Sequence, residues 1–160
     1  MIVYHGSDVS VPEPRISFSR ERVDFGKGFY VTPIAEQAQR WAARFLTRGR
    51  QALISCYELD EAAFAETSIC RFDGYTEDWL DFVLACRSGH DTSTYDIVMG
   101  GVANDRVFDT VELYLQGLIE KNTAIERLRF EAPNYQIAVR TQAVLDRYLQ
   151  FQRSEHYEGK

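Results

Sequence analysis

The sequence predicts an α+β domain, and three observations carry that prediction. Short apolar, β-branched runs such as "YDIVMGG" and "YQIAV" stand among segments whose apolar residues recur at helical spacing. Strands and helices are mixed without strict alternation, which argues against a doubly wound parallel sheet. The 160 residues suffice for one core and are too few for two ordinary domains, and no repeat, low-complexity tract or Pro/Gly/Ser linker divides them, so residues 1–160 read as one domain.

Along the chain, "MIVYH" is the first strand, and Pro12 and Pro14 break the stretch from Gly6 to Asp24 into a wandering segment. The run "VDFGKGFYVT", residues 23–32, is half turn and half strand, with the strand at Phe29 to Val31. Thr32 and Pro33 form a helix opening, since threonine caps free amides and proline suits the first helical position. Ile34, Ala38, Trp41, Ala42 and Phe45 then set one apolar face until Gly49, with Arg40, Arg44 and Arg48 on another.

"ALISCYELD" reads as a strand, and Thr76 to Cys86 as a helix carrying Trp79, Phe82 and Val83 inward. "TYDIVMGGVA" suits a buried strand with a close backbone approach at its glycines. A helix from about Asp105 to Glu120 follows, capped by Asp105 and burying Val107, Val111, Leu115 and Leu118. Thr123 and Glu126 have capping-box spacing before a short helix through Leu128; Pro133 introduces the strand "NYQIAVR", Thr141 caps a last helix, and "YLQFQR" closes the fold as a strand.

Composition narrows function. A hydrophobic fraction of 45% excludes a disordered chain, and no long apolar run offers a membrane span. A net charge of −6 with pI ≈ 5.1 gives no global drive toward nucleic acid. The N-terminus lacks a basic region followed by an apolar stretch, which predicts a cytoplasmic location. Cys56, Cys70 and Cys86 lack CxxC spacing and read as reduced, packed thiols rather than a disulfide frame or zinc site.

There is no Walker loop, GxGxxG, HExxH or GxSxG. What remains is His5 in "YHGS", the glycine and aromatic run, and Gln136 in the late strand. His5 stands at a strand end beside Gly6, whose backbone is open to a ligand. Taken singly, Gly26 and Gly28 read as turn residues, Tyr30 as core, and Arg40, Arg44 and Arg48 as a solvated helix face. Lys27 reads equally as a turn lysine or a phosphate contact, and Asn104 and Asp105 offer a second, cleft-lining reading.

In combination, "YHGS", "FGKGFYVT" and a following helix with Trp41 inward resemble the ADP-ribosyltransferase superfamily, in its poly(ADP-ribose) polymerase and diphtheria-toxin branch. With "YDIVMGGVAND" and "PNYQIAV" in the same order, the resemblance covers nearly the whole chain. It is nearest to a bacterial family of short proteins of that fold, often paired with a small antitoxin-like partner. The resemblance implies a split β-sandwich with flanking helices that binds NAD in a cleft between two small sheets. It implies a triad of His5, Tyr30 and Gln136, and NAD contacts from His5, Gly6, Ser7, Lys27, Gly28, Tyr30 and Trp41: His5 on a ribose, Gly6 on the carboxamide, Tyr30 and Trp41 on the nicotinamide ring.

The implied activity is transfer of one ADP-ribose to a protein or nucleic-acid acceptor, as the toxin of a toxin–antitoxin pair. Two positions depart from the family pattern: Ala38 replaces a serine that bonds the nicotinamide amide, and Gln136 replaces the triad glutamate. Glutamine accepts a hydrogen bond but brings no charge to an oxocarbenium-like state, a loss worth roughly a hundredfold in rate. The alternatives are a weakly active or inactive NAD- or partner-binding module of the same fold, and an NAD glycohydrolase with water as acceptor. Glu131, Asn134 and Tyr135 are candidate acceptor contacts.

Overall fold

A computed structural model describes residues 1–128 and 134–159. The first strand, β1 (Ile2–Ser7), pairs antiparallel with β3 (Leu53–Leu59), which pairs antiparallel with β7 (Leu149–His156), giving one sheet in the order β1-β3-β7. The second sheet has the order β2-β6-β5-β4, from β2 (Phe29–Val31), β6 (Gln136–Val139), β5 (Ile97–Gly100) and β4 (Ile69–Arg71); only β4 and β5 run parallel. A bridge joins the sheets: the Tyr4 amide donates to the Thr32 carbonyl at 2.8 Å and the Thr32 amide to the Tyr4 carbonyl at 2.9 Å.

The apolar runs show why the sheets stack. Residues two apart point to one face, so Ile97, Met99, Ile137 and Val139 meet Val3, Tyr57 and Leu59 of the first sheet in a shared core. Their neighbours Val98 and Ala138 face the opposite way, onto helices α3 (Glu77–Arg87), α4 (Asp105–Leu115) and α5 (Lys121–Leu128), with Trp79, Val83, Val107 and Val111 filling that layer. Strands buried on both faces read as continuous apolar runs rather than alternating ones. The observed class is therefore α+β with two sheets, as predicted.

Helix α1 (Ala35–Leu46) packs on β1, the short α2 (Ala63–Glu66) precedes β4, and α6 (Gln142–Tyr148) precedes β7. Both α2 and β4 escaped the sequence, since four- and three-residue elements are too short to show a period. Several boundaries also differ. Thr32 is taken by the bridge to Tyr4, its Oγ1 accepts from the Ile34 amide, and α1 begins only at Ala35. Asn104, not Asp105, caps α4, its side chain accepting from the Val107 amide.

That helix ends at Leu115, after which the chain turns; Leu115 and Leu118, expected inside, are 42% and 66% exposed. Thr123 lies within α5, which starts at Lys121, so the capping box does not form where expected. Thr141 stands at the N-cap of α6, yet its hydroxyl donates to Asp96 instead of taking a helix amide. The three cysteines are free, with Cys56 and Cys86 buried. Among the described residues no helix is long and apolar enough to cross a membrane.

Candidate functional site

One cleft of about 1090 Å³ opens at the free edge of β1, and it draws on both sheets and on α1. His5, Gly6 and Ser7 line it from β1, Phe29 and Tyr30 from β2, Gln136 from β6, and Trp41, Arg44 and Phe45 from α1. Gly28 and Asp24 line it from the preceding loop. Residues separated by more than a hundred positions in the chain thus meet because β2 and β6 are neighbours and the Tyr4–Thr32 bridge ties β1 to them.

The imidazole of His5 has one defined tautomer. Its Nδ1 lies 2.7 Å from the Tyr30 carbonyl oxygen, which only accepts, so Nδ1 carries the hydrogen and Nε2 keeps its lone pair. Burial of the ring pulls its pKa below the ordinary 6.5, against a smaller upward pull from the Tyr30 carbonyl, so the ring is neutral near pH 7. Phe29 flanks it, with ring centroids 4.5 Å apart. His5 is accordingly an oriented hydrogen-bond acceptor.

The Tyr30 hydroxyl is committed to the fold. It donates to the Gly26 carbonyl at 2.6 Å and accepts from the Phe25 amide at 2.9 Å, and burial raises its pKa well above the usual phenol value. Tyr30 therefore holds the glycine turn in place and offers the cleft its ring, not its oxygen. Gly26 closes that turn at φ 74°, whereas Gly28 passes so near β6 that a Cβ would stand 2.9 Å from the Val139 carbonyl oxygen.

Gly6 is needed for the approach of α1. A Cβ there would collide with the Ala38 carbonyl and lie 2.8 Å from the Ala42 nitrogen. Its backbone has a direction too. Tyr4 turns its amide and carbonyl outward to Thr32, and two residues on along the strand Gly6 turns its own to that same side, the free edge of β1 beside the cleft. Ser7 uses its hydroxyl on the Val9 carbonyl at 2.5 Å, which shapes the following loop. Lys27 is exposed and lies outside the cleft lining, and Ala38 is fully buried under Gly6.

The floor of the cleft holds residues that sequence reasoning missed. The Nε2 of Gln136 donates to Asp24 Oδ2 at 3.0 Å and to the Gly101 carbonyl at 3.3 Å. Asp24 Oδ2 also accepts from the Ala103 amide at 2.9 Å, while Oδ1 accepts from Arg87 Nε and Nη2 at 3.0 and 2.5 Å. Arg87 in turn lies 4.5 Å over the Phe108 ring. The one available signal for Asp24 was a carboxylate flanked by Val23 and Phe25, since an acid between two apolar residues at the head of a turn needs a buried cation.

Two amides fasten the backbone beside Gln136. Gln37 Nε2 donates to the Tyr135 carbonyl at 2.7 Å, and its Oε1 accepts from the Tyr135 amide at 3.0 Å. Asn134 Oδ1 accepts from the Val102 amide at 2.7 Å and from the Tyr75 hydroxyl at 2.8 Å, so Asn134 anchors its strand rather than facing an acceptor. Glu131 lies outside the described residues. Arg40, Arg44 and Arg48 are exposed, as expected of a solvated face, and Arg44 and Arg48 also line the cleft, joined by Arg15, Arg20 and Arg22 from the wandering loop. A protein of net charge −6 thus concentrates positive charge at one opening.

A family model covering residues 1–151 matches this chain, under the description "Protein of unknown function (DUF3990)". The chain belongs to the DUF3990 family. Comparison with curated proteins and with solved structures gave no match. The match spans β1 through the first residues of β7, so the DUF3990 unit includes strands of both sheets and every cleft residue named above. In this DUF3990 protein the chemistry on offer is a neutral imidazole acceptor, an edge-strand backbone, two aromatic rings and a rim of arginines. Such a set fits a ligand that is anionic, bears hydroxyls and carries a flat ring.

Proposed function

We propose that this protein binds NAD as its substrate and transfers a single ADP-ribose to a protein or nucleic-acid acceptor, in the manner of the ADP-ribosyltransferases its motifs resemble. One observation carries the reading: His5, Gly6, Tyr30, Trp41 and Gln136, scattered over three strands and a helix, line a single cleft. In this reading the Gly6 backbone at the edge of β1 holds the carboxamide, because an amide and a carbonyl two residues beyond a paired position match its donor and acceptor. His5 Nε2 accepts from a ribose hydroxyl, Tyr30 and Trp41 flank the nicotinamide, and the arginine rim meets the pyrophosphate.

The reaction breaks the bond between ribose C1′ and the nicotinamide nitrogen, and nicotinamide leaves with the electron pair. An acceptor lone pair then bonds to C1′, and the acceptor's proton passes to water. Gln136 supplies an acceptor oxygen without charge, which favours slow transfer to one acceptor over polymer growth. In cells the protein acts as a toxin restrained by a small partner protein.

A second reading, a binding module of the same fold with little turnover, is favoured by the Gln136 amide, whose nitrogen is already committed to Asp24 and Gly101. Calorimetric titration with NAD, followed by incubation of labelled NAD with cell lysate, separates the two. Transfer requires binding that is lost in His5→Ala and Trp41→Ala together with a labelled macromolecule. Binding without label supports the module, and no binding by the folded wild type removes NAD from both.

A further inference from the structure

The carboxylate of Asp24 faces four donors and no acceptor: Arg87 Nε and Nη2 on one oxygen, the Ala103 amide and Gln136 Nε2 on the other. Only an ionised carboxylate has acceptor sites for all four, so an amide at position 24 would turn an NH₂ group against a donor in either orientation. The same reasoning fixes the other end. Gln136 Nε2 meets two acceptors, Asp24 Oδ2 and the Gly101 carbonyl, so its amide cannot be reversed without placing its oxygen against them. With Nε2 turned inward, Oε1 is the atom Gln136 has for the cleft, which it lines.

We propose that Asp24 is a positioning residue that locks Gln136 in one orientation, so that the cleft is built for a neutral acceptor at position 136 and a ligand hydroxyl that donates to Oε1. The identity of that hydroxyl, a ribose hydroxyl, rests on the NAD reading; the lock itself does not. Glutamine is then the residue this pocket requires, not a weakened glutamate. A carboxylate at 136 would stand against the carboxylate of Asp24 and the Gly101 carbonyl with no proton between them. Arg87, already bonded twice to Asp24 Oδ1, is the cation of this cluster and serves the other side of it.

The test compares wild type with Gln136→Glu, measuring urea unfolding and NAD titration side by side as pH falls from about 8 to about 6, a range over which a glutamate crowded by a second carboxylate takes up its proton. Once protonated, the introduced carboxyl donates its one hydrogen to Asp24 and presents its carbonyl oxygen to the cleft, restoring the native bond to Asp24 though not the second one to the Gly101 carbonyl. The expected result is a variant that is less stable and binds NAD at least about tenfold more weakly at the upper pH, and that recovers toward wild type at the lower. The cleft is also lined by Glu13, Asp24, Tyr30, Arg87, the rim arginines and His5; protonation of His5 turns its Nε2 from acceptor into donor and lowers rather than raises binding in acid, so recovery cannot come from it.

A Gln136→Glu protein that equals wild type in stability at the upper pH, or whose two profiles run parallel to wild type, overturns the lock. If the variant does not fold at neutral pH, Gln136→Met carries the test: it has no donor and only a weakly accepting sulfur, and is expected to weaken binding about tenfold with no acid recovery. Wild-type affinity in Gln136→Met overturns the role of Oε1. Should wild type fail to bind NAD while Gln136→Glu alone regains stability in acid, the lock stands and the ribose assignment falls.

Discussion

Gln37 holds the backbone of Tyr135 by both ends, its Nε2 on the carbonyl at 2.7 Å and its Oε1 on the amide at 3.0 Å. Gln37 belongs to α1 and Tyr135 immediately precedes β6, so this pair of bonds ties the helix of Trp41 to the strand of Gln136. Replacing Gln37 by Ala leaves both backbone groups without partners, a loss of about 2 kcal/mol. The expected outcome is a lower unfolding midpoint in urea and weaker NAD binding in the protein that remains folded, although Gln37 itself is not among the cleft-lining residues.

Gly6→Ala is expected to be the more damaging of the small changes on β1. The added methyl meets backbone, the Ala38 carbonyl and the Ala42 nitrogen, which no rotamer change relieves. Separation of β1 from α1 costs about 1–3 kcal/mol by analogy with overpacked cores, and it widens the cleft between Gly6 and Trp41. Thermal unfolding measures the first effect, and NAD titration the second.

Stability carries a signature of His5. Its folded pKa lies below the ordinary 6.5, so the unfolded chain binds the proton more readily. Its contribution is therefore fully present above 6.5 and is lost as pH falls through the folded value. Urea unfolding of wild type and His5→Asn across that window should converge in acid. Proton uptake also turns Nε2 from acceptor into donor, so NAD affinity should fall over the same range in wild type.

The arginine rim predicts salt sensitivity out of keeping with an acidic protein. Arg20 and Arg48 are exposed at the cleft opening, and exposed charges are screened at ionic strengths above about 0.1 M. The double variant Arg20→Ala/Arg48→Ala should bind NAD about tenfold more weakly and show a flatter dependence on salt. Inorganic pyrophosphate should compete with NAD for wild type more strongly than for the variant.

Much of the fold was legible because long buried strands and capped helices leave strong local signals. Residues 29–31 and 53–59 fall where β-branched and aromatic residues cluster, and the helix expected from Thr76 to Cys86 is α3, with Thr76 as its cap. The exposed Leu115 and Leu118 were misread because periodicity persists past the point where the chain turns away from the core. At the site, His5, Tyr30 and Gln136 were found through local motifs. Asp24, Gln37 and Arg87 were not, since each matters through partners far away in sequence, at separations of 63 residues for Asp24 with Arg87 and 98 for Gln37 with Tyr135. Polar pairs of that kind have no periodicity, although Gln37 does sit four residues before Trp41, on the inward face of its helix.

The Gly101 carbonyl that receives Gln136 is also the partner of Trp79, whose indole nitrogen donates to it at 3.1 Å from a fully buried position. The other of the two tryptophans, Trp41, is half-buried at the cleft. The protein thus carries two tryptophan fluorophores in unlike surroundings. Emission from Trp41 is open to iodide and responds to an occupant of the cleft, while Trp79 emits at shorter wavelength until the chain unfolds. A single spectrum resolved by quenching therefore distinguishes an empty cleft from a damaged one.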